Sequence, residues 1–79
     1  MKDALLSIVA SIVDNPKDVV VEELEDEGIV QFIVTVHKED MGKVIGKEGK
    51  VIRSIRNVMK IPAMKQNKRI NITLAENPQ

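Results

Sequence analysis

The 79 residues include no cysteine, tryptophan or tyrosine, and only one phenylalanine and one histidine. Without cysteine there is no disulfide framework and no thiolate metal site, and a reducing cytoplasm is the natural setting. His37 alone cannot build a metal centre. The apolar stretch from Ala4 to Val13 is too short to cross a bilayer, and no small-residue cleavage site follows it. The sequence therefore predicts a soluble chain that is not exported and does not engage a membrane. The shortage of aromatics excludes the nucleic-acid folds that stack bases on Phe, Tyr or Trp, such as RNA-recognition-motif sheets, oligonucleotide-binding barrels and cold-shock domains. Phe32 lies in an apolar strand and is assigned to the core. There is no nucleophile–base pair and no cluster with metal-ligand spacing, so no enzyme, cofactor or small-molecule substrate is expected.

The chain is long enough for one small domain, near the size at which a single core only just outweighs chain entropy. Its formal net charge is zero, which at first argues against a polyanionic partner, but the distribution is lopsided. Residues 1–40 carry three basic and ten acidic side chains, and residues 41–79 carry nine basic and two acidic ones. The two halves are thus −7 and +7.

In the basic half, residues 42–53 read Gly-Lys-Val-Ile-Gly-Lys-Glu-Gly-Lys-Val-Ile-Arg. Glycine permits positive φ and lets another backbone come close, as a tight turn beneath a phosphate requires. Gly46 and Gly49 bracket such a turn, with Lys47 at its tip. Val51, Ile52, Ile55, Val58 and Met59 follow at helical spacing, so the turn opens a helix whose free N–H groups face the same point. The other stripe of that helix carries Lys50, Arg53, Arg56, Asn57 and Lys60, a path that a polyanion can follow. No Walker A spacing exists, because Gly49 is followed by Lys-Val and not Lys-Ser/Thr. The dinucleotide fingerprint is absent as well, since Gly42, Gly46 and Gly49 are spaced four and then three apart.

The run Val44-Ile45-Gly46-Lys47-Glu48-Gly49-Lys50-Val51-Ile52 resembles the K homology (KH) motif, in which a Gly-x-x-Gly loop between two short helices clamps about four nucleotides of single strand. The resemblance extends over the whole chain and is to the small bacterial stand-alone KH proteins of the KhpA type. Periodicity along the chain agrees with it. Leu5, Leu6, Ile8, Val9, Ile12 and Val13 predict a helix within residues 1–14, capped by Asp3 and stopped at Asn15-Pro16. Residues 19–37 predict a hairpin turning at Asp26-Glu27-Gly28, its second strand central because Ile29 and Ile33 are apolar on the face opposite Val30, Phe32, Val34 and Val36. Residues 39–60 predict a short helix capped by Glu39 or Asp40, the glycine loop and the basic helix, ended by Pro62. A connector, a last strand over 69–74 and a frayed tail over 75–79 complete the chain. Gly42 is assigned to packing in the short helix. The order αββααβ is that of a type II KH domain, an α+β fold with a mixed three-stranded sheet and three helices on one face.

The resemblance implies a non-catalytic protein that binds single-stranded RNA, in the role of a post-transcriptional regulator or RNA chaperone. Gly46, Lys47, Glu48 and Gly49 would hold the backbone, with Lys43, Lys50 and Arg53 on flanking phosphates and Val44 and Ile45 along the base groove. Ile52 is assigned to the core. Arg69 and Asn71, on the last strand, are implied as further contacts. Glu48 and the acidic hairpin turn weaken attraction to RNA, which leaves open the alternative of a protein-interaction module with a weak RNA site. One groove supplies few contacts, so a homodimer or pairing with a larger KH-containing protein is expected. Val58, Met59, Ile61 and Met64 are the expected interface.

Overall fold

The computed structural model describes residues 1–76. Helix α1 spans Lys2–Ile12 and places Leu5 and Val9 on its buried side, one turn apart. Met1 precedes its first turn, so Asp3 lies inside the helix, where its charge favours the N-terminal dipole, and is not the cap. The chain leaves the helix before Asn15 and makes a 3-10 turn over Pro16–Asp18.

Strand β1 (Val20–Asp26) turns at Glu27-Gly28 into β2 (Ile29–Val36). Both turn residues have positive φ, 51° and 79°, the backbone twist that suits a two-residue hairpin. Alternation in β2 is strict: Val30, Phe32, Val34 and Val36 are fully buried, while Ile29 and Ile33 lie on the open face of the sheet. Strand β3 (Arg69–Glu76) pairs parallel to β2, while β1 pairs antiparallel to it. The order β1-β2-β3 makes β2 central and puts acidic β1 and the largely uncharged β3 on opposite edges.

The parallel pair needs a crossover. It consists of helix α2 (Met41–Ile45), the loop Lys47–Gly49 and helix α3 (Lys50–Lys65). Val44 from α2 and Ile52, Ile55, Met59 and Ala63 from α3 pack onto the buried sheet face around Phe32.

Helix α3 does not stop at Pro62. It continues one further turn because Ala63 is buried against the core and because a Schellman motif closes the helix later. The Lys68 N–H donates to the Ala63 carbonyl at 2.9 Å and the Asn67 N–H to the Met64 carbonyl at 3.1 Å, with Asn67 left-handed at φ 57°. Asparagine tolerates that conformation, so Asn67 is the stop signal. The expected connector shrinks to a turn, and β3 runs through Ala75 and Glu76, expected to be frayed. The rest of that tail, residues 77–79, lies outside the described residues.

Of the two residues expected to cap α2, Glu39 or Asp40, it is Asp40 that holds the cap position, but no side chain caps the helix there and the Asp40 carboxylate does something else. It is almost fully buried and reaches back to the end of α1, accepting from the Asp14 N–H (3.2 Å), the Asn15 N–H (3.0 Å) and Asn15 Nδ2 (3.1 Å). Burial opposes the charge. The Asn15 side chain, the two amides and the nearby Lys43 ammonium outweigh it and hold the Asp40 carboxyl below its ordinary range. A lowered pKa stabilises the fold above the unfolded value and loses that contribution as pH falls through the folded one. Asp40→Ala should lower the thermal midpoint by roughly 5 °C or more at pH 7. The gap to wild type should close as pH drops below about 4, the ordinary aspartate range. Thermal melts at pH 7 and pH 3 check both statements; an equal gap at the two pH values would contradict them.

Candidate nucleic-acid interface

The loop is a tight turn, with the Gly46 carbonyl accepting from the Gly49 N–H at 3.2 Å. Its two glycines serve different needs. At Gly46 (φ 76°) a Cβ would sit 2.3 Å from Val51 Cγ2 and 2.8 Å from the Val51 backbone nitrogen, so only hydrogen fits there. At Gly49 (φ 74°) nothing obstructs a Cβ, and the left-handed backbone is what favours glycine. Glu48 shares that conformation at φ 57°, ψ 25°, a strained arrangement for a side-chain-bearing residue. Gly42 has no neighbour within 4 Å of a Cβ, so the packing role expected for it does not apply.

Lys47 and Glu48 are exposed at the tip, and Lys50 is exposed at the start of α3. Arg53 reaches back from α3 and donates to the Glu48 carbonyl at 3.2 Å, bracing the turn. The same Arg53 lines a groove of about 370 Å³ along the free edge of β3. One wall is α3, with Arg53, Arg56, Asn57 and Lys60 at helical spacing, and the other is β3 from Ile70 to Thr73. Arg56 donates to the Ile72 carbonyl at 3.2 Å, pinning the edge strand to the helix. Three cations, the amides of Asn57, Asn71 and Gln31, and an apolar floor at Ile70 and Ile72 make a surface for phosphates outside and flat apolar groups within. Among the described residues no carboxylate lines it.

Several sequence expectations need placing against this geometry. Asn71 enters the groove, and Ile45 is exposed beside the loop. Val44 cannot line a groove for bases, because it is fully buried beneath the sheet at the position its helical spacing gives it. Ile52 is core, as expected. Lys43 is turned away from the groove and paired with Asp14. That hydrogen bond raises its pKa, against a smaller desolvation effect, with the charges of Asp14 and Asp40 adding to the rise. Met59 is buried and forms no interface surface, since it shares the inner face of α3 with Ile52, Ile55 and Ala63. Val58 and Ile61 are more than half exposed and share the outward side of α3, while Met64 turns to a cavity adjoining the groove, which Arg69 also lines. Arg56, Asn57 and Lys60 belong to the polar stripe that helical spacing reveals, without being singled out by it. Gln31 and Thr73 carry no sequence signal; only the strand register brings them to the groove edge.

Comparison with known proteins agrees with this architecture. Residues 2–74 match the family model described as KhpA/KhpB, KH domain. The chain is 43% identical over 74 residues to a protein of Oceanobacillus iheyensis named RNA-binding protein KhpA, covering 94% of this chain and 99% of the relative. It is 38% identical over 76 residues to the protein of that name from Listeria monocytogenes (96% and 100% covered). The Clostridium acetobutylicum protein of that name is 43% identical over 74 residues (94% and 99% covered). The helix-loop-helix crossover, the mixed sheet and the match over nearly all of the sequence together show that the chain belongs to the KhpA/KhpB KH-domain family.

Proposed function

We propose that this protein is a non-catalytic binder of single-stranded RNA, acting in the cytoplasm as a post-transcriptional regulator or RNA chaperone. The observation that carries the reading is the continuity between loop and groove through Arg53, which braces the Glu48 carbonyl and lines the cationic wall of α3. In this reading the Gly46–Gly49 turn supports the sugar–phosphate backbone, because no Cβ at Gly46 holds α2 away from α3. Arg53, Arg56 and Lys60 neutralise phosphates, and unpaired bases lie against Ile70 and Ile72 with Asn57 and Asn71 in hydrogen-bonding reach of their edges. The relatives' name, RNA-binding protein, supports the same substrate class.

The second reading is interaction with protein, and exposed Val58 and Ile61 favour it. The two are compatible: pairing with another copy, or with a larger KH-containing protein, sets two grooves on one RNA and raises affinity through effective concentration.

Lys47→Asp with Glu48→Asp should weaken binding of a single-stranded oligoribonucleotide more than tenfold in fluorescence anisotropy. The melting temperature should move by no more than about 3 °C, since Asp tolerates the left-handed position at least as well as Glu. Wild-type affinity in that variant would remove the loop from the interface. A single-stranded RNA should also outcompete its annealed duplex by more than tenfold, because a groove between a helix and a sheet edge admits splayed bases and not an A-form helix. Equal competition would indicate contact with backbone alone. Finally, sedimentation at micromolar concentration should show a dimer for wild type and a monomer for Ile61→Asp; a monomeric wild type, or an unchanged variant, would exclude this outward face of α3 as the interface.

A further inference from the structure

Beyond the groove, α3 and β3 enclose a second cavity of about 300 Å³, lined by Lys60, Ala63, Met64, Lys68, Arg69 and Ile70. It shares Lys60 and Ile70 with the first groove, so the two lie side by side along the sheet edge. Its floor is aliphatic. Lys68 is held by Glu25 at 2.7 Å, while Lys60 and Arg69 make no ion pair among the described residues. Met64 is three-quarters exposed at the mouth, an apolar and polarisable side chain with nothing packed over it.

We propose that this cavity is an additional nucleotide site, extending the RNA footprint by one or two nucleotides past the four that the loop and first groove hold. The inference rests on the reading of the first groove as an RNA site. The occupant follows from charge and adjacency: an aliphatic floor beside Arg69, and beside Lys60 at the border with the first groove, complements a base next to its phosphates, and a strand leaving the first groove past Lys60 meets it next. A base rests on Met64 and Ile70, and the flanking phosphates face Lys60 and Arg69.

The test compares labelled oligouridine and oligoadenylate of four and six nucleotides by fluorescence anisotropy over a salt series, with stoichiometry from native mass spectrometry. A 1:1 complex is expected in which the hexanucleotide binds about tenfold tighter than the tetranucleotide, above the roughly threefold that extra binding registers give by counting. The log–log salt dependence should steepen by about 0.7 for each added phosphate engaged. Met64→Glu, which places a carboxylate at the mouth of the second cavity alone, should remove the hexanucleotide advantage and leave tetranucleotide binding unchanged. Tetranucleotide binding with no advantage for the hexanucleotide overturns this proposal and leaves the first groove intact. An advantage that survives Met64→Glu, or that appears only with two protein copies per RNA, also overturns it. Failure of the wild-type protein to bind either length defeats the underlying RNA reading instead.

Discussion

The contact between Gly46 and Val51 is the constraint on which the rest of the interface depends. A methyl group at residue 46 would lie 2.3 Å from a Val51 methyl, far inside van der Waals distance. With hydrogen there, α2 and α3 meet at a tight corner and the backbone between them is thrust outward as a tip. Any larger side chain at 46 would force Val51, and with it the first turn of α3, away from α2. The cationic stripe from Arg53 to Lys60 is aimed by that first turn, so an atom missing from one residue sets the direction of charges three turns away.

The corner also needs a fixed base. Asp40 supplies it on the α2 side by fastening the start of the crossover to the end of α1, and Lys43 adds a surface pair with Asp14. On the α3 side, Ile52, Ile55, Met59 and Ala63 anchor the helix in the core, and Arg56 ties it to the edge strand. A burial of this kind is non-directional and sets position only loosely, whereas the two hydrogen-bonded ties fix angle. Rigidity at the site therefore comes from a small number of polar contacts laid over a hydrophobic platform.

Much of this was legible in the sequence where one physical rule acts alone. Strict alternation made β2 visible, helical spacing made the inner face of α3 visible, and the glycines with their apolar flanks located the loop. What stayed hidden required tertiary information. Pro62 reads as a helix end, yet burial of Ala63 and the left-handed Asn67 carry the helix past it. Asp40 reads as a cap, yet a partner 25 residues earlier in the chain claims its carboxylate. Apolar residues at the end of α3 read as one surface, yet their angular positions divide them: Met59 inward, Val58 and Ile61 outward, Met64 toward β3. Position Val44 shows the reverse difficulty, since a motif names it while its helical phase buries it.

Carboxylates crowd β1 at one edge of the three-stranded sheet and the cations of α3 line the groove beside the other edge, so charge of opposite sign sits on opposite sides of this nominally neutral molecule, an electric moment. A neutral body with such a moment feels little net pull from a distant polyanion but is turned by its field. On the proposed reading the side that carries the α3 cations leads, so a greater share of collisions begin in a productive orientation. That torque acts only within about a Debye length, some 8–10 Å in physiological salt. Off-target nucleic acid met in the wrong orientation presents the carboxylates of β1 instead, and the encounter is brief. On the RNA-binding reading proposed above, the arrangement favours rapid sampling of many strands, with the residence time left to the groove.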